Sequence, residues 1–195
     1  MTSLNFFFDP GCPWTWRTSR WVLEVAPERD VAVRWRAFSL DLKNEAPPTT
    51  AQGALRIVEA VWADHGDEPI GRFYTEVGTR FHDREDTSPN ALAGALEAAG
   101  LDARYLDAAY DERWDAEIRW SMDEAIRVVG DDVGVPILVF DGEVGLCGPV
   151  MAPAPTGQAA LQLWDHVAGL AATPGFYELE RSRTVTLPSR RDTPL

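Results

Sequence analysis

The stretch "FFFDPGCPWTW", residues 6–16, decides how this chain is interpreted. Its phenylalanines end a short apolar run, which predicts a buried strand over residues 3–8. The following Asp-Pro-Gly predicts a turn, because Pro and Gly interrupt regular structure. A helix is predicted over residues 13–26, since Pro13 suits a first helical turn, where its missing N–H is not needed. Cys12 therefore lies where a turn meets the start of a helix.

A cysteine at a helix start has a chemical advantage over other cysteines. The N–H groups of the first turn and the helix dipole stabilise a thiolate, the form that attacks disulfides and electrophiles. We therefore predict that Cys12 is a reactive nucleophile; the alternative is a buried apolar cysteine that merely begins a helix. Of the neighbouring aromatics, Trp14 is the candidate for a pocket wall, because we expect it in an exposed turn position, whereas Phe6, Phe7 and Phe8 are typical of a core.

The rest of the chain supplies the order of elements. Residues 31–40 alternate apolar and polar side chains and complete a β-α-β unit. Helices are predicted from about residue 49 to residue 129, and "GVPILVFDGEVGLCGP" (134–149) predicts a β-hairpin that turns at Asp-Gly. A last helix follows over 156–172. We predict an α/β fold made of three units: 1–45, a helical insertion over 46–130, and 131–195 with the C-terminal tail.

Composition narrows the classes of function. Among 195 residues, 31 acidic against 18 basic side chains give a formal net charge of −13, which disfavours nucleic-acid binding. No apolar run reaches the ~18 residues of a membrane span, and no signal peptide is evident, so we expect a cytoplasmic protein. No spacing of Cys, His and carboxylates resembles a metal site, so no metal is expected.

Val135-Pro136 opens the predicted hairpin. Proline is tolerated at the first residue of a strand, where its missing N–H need not disturb the ladder. The dipeptide alone predicts a trans bond, because only ~5–6% of such bonds are cis in folded proteins. A cis bond here would aim a backbone N–H and C=O at a substrate.

The element order, with Cys-Pro-Trp at the first helix and Val-Pro before the third strand, resembles the thioredoxin fold of the DsbA family. More closely, the chain resembles the mycothiol-dependent nitroreductase and disulfide-reductase branch. The matching stretches are "FFFDPGCPWTW", "TSRWVLEV", "LKNE", "GTRFHD", "VGVPILVFDG", "GPV" and "LWD". They extend over about residues 5–184. The resemblance implies a β-α-β … β-β-α thioredoxin fold carrying a helical insertion.

The resemblance also implies a site. Cys12 would be the nucleophilic thiol, with Pro136 as a cis-proline facing it and Val135 offering backbone contacts to a bound thiol compound. The positions that match thiol-binding or substrate-binding residues of the branch are Pro13, Trp14, Asn44, His82, Val135 and Pro136. Electrons would come from a low-molecular-weight thiol, mycothiol or glutathione, used as a co-substrate rather than from a tightly bound cofactor.

Thr15 departs from the Cys-Pro-Trp-Cys pattern of the branch. A hydroxyl cannot release a mixed disulfide, which is the role of the second cysteine in a dithiol mechanism. We expect the Thr15 hydroxyl to hydrogen-bond to the Cys12 thiolate instead and to leave a site with one thiol. Kappa-class glutathione transferases and chromene-carboxylate isomerases resemble this arrangement.

Cys147 is the only other cysteine and lies at the end of the predicted fourth strand, on the active-site side. Two strand spacings, about 9–10 Å, separate it from the first strand. A disulfide requires Cα atoms within roughly 7 Å. We therefore expect a partly buried strand cysteine that does not pair with Cys12.

Three functions remain open. The favoured one is a thiol-dependent oxidoreductase that reduces small electrophiles, nitro compounds or mixed disulfides through Cys12. The second is a redox-inactive binding protein of the same fold, and the third is a glutathione-dependent transferase or isomerase. The sequence does not distinguish mycothiol from glutathione and does not indicate the oligomeric state.

Overall fold

The computed structural model describes residues 2–182 and 184–185. Its centre is one sheet of four strands in the order β2-β1-β3-β4. The strands are β1 (Thr2–Phe8), β2 (Val31–Ala37), β3 (Ile137–Phe140) and β4 (Val144–Cys147). β1 pairs parallel with β2 and antiparallel with β3, and β3 pairs antiparallel with β4. The predicted β-α-β unit and hairpin are confirmed.

The α-helices are α1 (Pro13–Val25), α2 (Leu40–Lys43), α3 (Thr50–His65), α4 (Ile70–Gly78), α5 (Pro89–Ala99), α6 (Asp115–Val129) and α7 (Gly157–Ala171). Short 3₁₀ turns occupy Pro27–Arg29, Ala103–Tyr110 and Glu112–Trp114. Helices α3 to α6 lie between β2 and β3 in the chain, where the sequence predicts a helical insertion. Within the described residues, no helix is long and apolar enough to cross a membrane.

Two local features differ from the sequence prediction. The short helix α2 follows β2 directly, where an extended segment to residue 40 was expected. The second helix of the insertion changes after Gly78 into a π-helical turn over Thr79–Asp83. Such turns often occur at functional sites, and this one carries His82. The division at residues 46 and 130 stays a prediction, and residues 1, 183 and 186–195 of the outer units lie outside the described residues.

Strand β1 is covered on both faces, which explains its continuous apolar run. Leu4, Phe6 and Phe8 have no exposed surface, and Phe7 is 1% exposed. Phe8 stacks on Tyr74 of α4, with ring centroids 4.0 Å apart. These contacts bury the central strand between helices and hold its C-terminal end in a fixed position.

Trp16 of α1 joins the first helix to the insertion. The indole is 6% exposed and packs against the backbone of Gly78, at the end of α4. A Cβ atom on Gly78 would lie 2.2 Å from the Trp16 ring, so only glycine allows this approach.

Glu59 is a buried carboxyl group of α3 and is 9% exposed. The pKa of Glu59 is raised from 4.5 to about 7, mainly by burial; Arg36 opposes the shift, and the carboxylates of Glu117 and Glu124 add to it. The native state therefore keeps this proton at pH values where the unfolded chain has lost it.

Replacing Gly78 with alanine tests the packing against Trp16. We expect Gly78→Ala to lower the free energy of unfolding by about 1–3 kcal/mol, because the added methyl group overpacks the indole. Gly169→Ala in α7 is the matched control: its Cβ would meet nothing within 4 Å, so equal or slightly higher stability is expected. Equal effects of both variants in urea unfolding would contradict this account of the contact.

Replacing Glu59 with glutamine tests its buried charge. Since the pKa of Glu59 is higher in the folded state, its contribution to stability is complete below the unfolded value and is lost as the pH rises towards 7. Glu59→Gln should therefore gain about 2–3 kcal/mol relative to the parent between pH 4 and pH 8. Unfolding free energies of the parent and of Glu59→Gln at both pH values would measure this gain. A stability difference between the two proteins that is the same at both pH values would contradict the raised pKa of Glu59.

Candidate active site

Cys12 lies between the end of β1 and the start of α1 and is 6% exposed. Its backbone N–H donates to the Asp9 carbonyl at 3.1 Å, and its carbonyl accepts from the Trp16 N–H at 3.1 Å. It is therefore the N-cap residue, with Pro13 as the first residue of the helix. The first turn of α1 contains no acidic residue. No carboxylate of this turn therefore offsets the positive end of the helix dipole next to Cys12.

The Val135-Pro136 peptide bond is cis and faces this cysteine. The Cys12 Sγ atom lies 3.8 Å from the Val135 carbonyl oxygen, as a weak S–H donor. The Pro136 carbonyl accepts the Gly148 N–H at 2.8 Å, which ties this loop to the end of β4. The structure thus brings Cys12, Val135 and Pro136 together, as the resemblance implies.

Thr15 does not make the expected hydrogen bond to Cys12. The side chain has no exposed surface, and its Oγ1 atom has no hydrogen-bond partner. The expectation fails because the Cys12 sulfur is directed at the Val135 carbonyl and acts there as a donor. Thr15 therefore places a buried, unpaired hydroxyl one helical turn after Cys12.

His82 reaches the active-site turn from the π-helical segment. Its Nε2 atom lies 2.8 Å from the Pro10 carbonyl oxygen, and because that oxygen only accepts, Nε2 carries the proton. The imidazole stacks on Trp16 at 5.9 Å, and Trp16 Nε1 donates to Asp83 Oδ1 at 3.2 Å. The Arg20 guanidinium lies 3.8 Å from the Trp16 ring centroid. His82 thus contacts the turn that carries Cys12.

Two other predicted residues are Trp14 and Asn44. Trp14 is the second residue of α1 and is half-buried, so its predicted position in an exposed turn is wrong. Asn44 ends α2 and is exposed. It lines a cleft between α2 and α6 together with Arg119, and among the described residues Cys12 is not part of that lining. A role for Asn44 in binding a thiol stays a prediction.

Cys147 ends the edge strand β4, and no disulfide joins it to Cys12. The sequence predicts a partly buried side chain, but the structure exposes it, because β4 has no neighbouring strand beyond it. Its Sγ donates to the Gly134 carbonyl at 3.2 Å. Strand β3 separates β4 from β1, as the predicted strand order requires.

The sequence analysis missed Asp9, which is 2% exposed. Asp9 Oδ1 accepts the Gly11 N–H at 2.7 Å, and Oδ2 accepts the Leu40 N–H at 2.8 Å. The contact with Gly11 closes a local turn, which an Asp before Pro-Gly predicts. The second contact joins residues far apart in the chain, and no local pattern indicates it.

Tyr74 is a second group that the sequence analysis missed. It is 1% exposed, and burial raises the pKa of its phenol, so the side chain stays neutral at physiological pH. Its electrostatic neighbours include Cys12 and Arg20.

In the part of the chain that the structure describes, no cluster of His, Cys and carboxylate side chains is arranged to hold a metal ion.

Solved structures show the same fold. The probable DsbA oxidoreductase SCO1869 from Streptomyces coelicolor has a TM-score of 0.61 at 18% identity, covering 96% of this chain and 94% of its own. A thioredoxin-like oxidoreductase from Silicibacter pomeroyi DSS-3 has a TM-score of 0.58 at 20% identity, covering 86% and 85%. The predicted DsbA-like thioredoxin fold is confirmed.

Sequence comparison identifies the family. The chain is 32% identical over 196 residues to the uncharacterized protein Rv2286c of Mycobacterium tuberculosis. The alignment covers 94% of this chain and 84% of the relative. Residues 11–181 match the model of a family described as Rv2466c-like, mycothiol-dependent nitroreductase Rv2466c. Because the match covers most of the chain, including Cys12 and Pro136, this protein belongs to the Rv2466c-like family.

Proposed function

We propose that this protein is a thiol-dependent oxidoreductase that works with one thiol, Cys12, and uses a low-molecular-weight thiol as co-substrate. The observation that carries the proposal is the position of the Cys12 sulfur, at a helix start and 3.8 Å from the carbonyl of the cis Val135-Pro136 bond. Family membership favours mycothiol as the co-substrate, with glutathione as the alternative. We place the reaction in the cytoplasm, where small thiols are kept reduced.

In the first step, the Cys12 thiolate attacks one sulfur of a substrate disulfide. A bond forms between Cys12 Sγ and that sulfur, the substrate S–S bond breaks, and the other sulfur leaves as a thiolate that takes a proton. The N-terminus of α1 stabilises the attacking thiolate. The Val135 carbonyl, next to the sulfur, is placed to accept an amide N–H of a bound cysteine-derived thiol.

In the second step, a small thiol must restore Cys12. Thr15 has no sulfur, and Cys147 lies on the far side of β3. A free thiolate therefore attacks the mixed disulfide, forms a new small-molecule disulfide and releases the Cys12 thiolate. The net reaction transfers a thiol group and balances without any other oxidant or reductant.

Nitro compounds are a second substrate class, which the description of the family model suggests. Reducing a nitro group to a nitroso group takes two electrons and two protons and releases water. Two small thiols supply both when they become one disulfide, so a site with one cysteine is compatible with this reaction. A buried Thr15 in place of a second thiol is also compatible with a binding protein that has no turnover. The assay described next distinguishes such a binding protein from an enzyme.

Turnover with a simple disulfide tests the one-thiol cycle. We expect bis(2-hydroxyethyl) disulfide to be reduced at a rate that rises with the concentration of mycothiol or glutathione, measured by release of 2-mercaptoethanol. Cys12→Ser should lower the rate by at least about 100-fold, because it removes the nucleophile. Cys147→Ser should stay near the parent rate. No turnover with either thiol, or equal losses in both variants, would contradict the proposal.

Restoring a cysteine at residue 15 tests the role of Thr15. Residues three apart on a helix lie about 5–6 Å from each other, within the range of a disulfide. After mild oxidation, we expect Thr15→Cys to form an internal disulfide between Cys12 and the introduced thiol, seen by non-reducing mass spectrometry. The stability of this variant should not fall, because the change removes an unpaired buried hydroxyl.

Thr18→Cys is the matched control for the Thr15 variant, because Thr18 is equally buried on the same helix. It lies six residues after Cys12, about 9 Å along the helix axis, so no bond to Cys12 is expected. A disulfide in both variants, or in neither, would show that α1 does not present residue 15 to the nucleophile.

A further inference from the structure

Asp9 is a buried carboxylate that the proposed reaction does not use. Its two oxygens bind backbone N–H groups of two different elements: Gly11 in the active-site turn and Leu40, the first residue of α2. In addition, its own carbonyl accepts the Cys12 N–H. One residue therefore fixes the turn before Cys12 and anchors that turn to the start of α2.

The anchor continues into the helical insertion. Ser39, the N-cap of α2, donates its hydroxyl proton to Gln52 Oε1 of α3. Gln52 Nε2 donates to Asp115 Oδ1 at 2.7 Å, and the same carboxylate forms a two-point ion pair with Arg56 at 2.7 and 2.8 Å. Ser39, Gln52 and Arg56 are each at most 3% exposed. Asp9 thus joins the active-site turn to a buried polar network that includes α3 and α6.

The Asp9 carboxylate also lies near the sulfur, since it accepts the N–H of Gly11, the residue before Cys12, and both Asp9 and Cys12 act electrostatically on Tyr74. A negative charge near a thiol opposes the formation of its thiolate. The other titratable groups around the turn are Tyr74 of α4, which stays neutral, and His82 of the π-helical turn, whose Nε2 binds Pro10. Arg20 of α1 lies over the Trp16 ring, and Asp83 accepts the indole N–H of Trp16.

We propose that Asp9 is a positioning residue for Cys12, which fixes the place of the sulfur through Gly11 and Leu40 and opposes its ionisation through its charge. This proposal rests on the proposed function only in taking Cys12 as the reactive thiol. The inference itself concerns the reactivity of that sulfur, which alkylation measures without any turnover.

The test is the rate of Cys12 alkylation by iodoacetamide as a function of pH, in a Cys147→Ser background that leaves one thiol. We expect Asp9→Asn to move the half-maximal pH down by about half a unit or more, since a negative charge is removed. The plateau rate should fall at least about threefold, because the amide nitrogen cannot accept an N–H and the turn loses one anchor.

Two further substitutions separate charge from geometry. In Asp9→Ser, the serine hydroxyl can still accept the Gly11 N–H within the turn, but it is too short to reach the Leu40 N–H. Because the charge is also lost, the half-maximal pH of alkylation should fall as in Asp9→Asn. Asp9→Glu keeps the charge but displaces the oxygens, so the half-maximal pH should stay near the parent value while the plateau falls.

Asp41→Asn is the matched control. Asp41 is also buried, at 4% exposure, and its Oδ2 accepts the N–H and the hydroxyl of Thr49. This variant should lose stability but keep the parent alkylation profile. An unchanged half-maximal pH in Asp9→Asn and Asp9→Ser, or an equal shift in Asp41→Asn, would reduce Asp9 to a structural role and overturn the proposal.

A measurement on the unmodified chain covers the case in which the Asp9 variants do not fold. In a pH titration followed by NMR, the amide protons of Gly11 and Leu40 should shift with one common midpoint, since both bind the same carboxylate. Different midpoints, or no shift of the Leu40 amide, would overturn the proposal. Absence of turnover in the disulfide assay would leave this result unaffected.

Discussion

The pairing of β1 on both of its edges determines where the nucleophile can lie. β1 runs parallel to β2, with Phe8 opposite Ala37, and antiparallel to β3, with Phe7 opposite Ile137. The end of β1, the residues after β2 and the residues before β3 therefore meet at one edge of the sheet. This register brings the turn that carries Cys12, the start of α2 and the cis Val135-Pro136 bond together, although they are far apart in the chain.

The helical insertion completes this edge rather than forming a separate unit beside it. Its aromatic contact is Trp16, which packs on the backbone of Gly78 and stacks with His82. Its polar contact is the network that leads from Asp9 through Ser39 to α3. The first contact is dry packing and the second is hydrogen bonding without exposure to water, so both resist small displacements. The insertion therefore contacts the active-site turn through both kinds of interaction.

The features that the sequence predicted correctly are mostly local. A run of buried phenylalanines, a proline at a helix start and Asp-Gly between two strands each depend on neighbouring residues. The features that it missed depend on distant pairs. Leu40 donating to Asp9, and Gly78 allowing the π-helical turn to approach Trp16, have no local signature. The expected bond between Thr15 and Cys12 failed for the same reason, because a carbonyl 123 residues away orients the sulfur.

The central claim is that Cys12 alone forms the covalent intermediate and that Thr15 leaves its release to a second small thiol. Intact-mass analysis after incubation with oxidised mycothiol, and in parallel with oxidised glutathione, tests it most directly. We expect one adduct per chain that is retained in Cys147→Ser, is absent in Cys12→Ser and disappears when the reduced thiol is added. An adduct that persists in Cys12→Ser, or an internal Cys12–Cys147 disulfide in its place, would contradict the account.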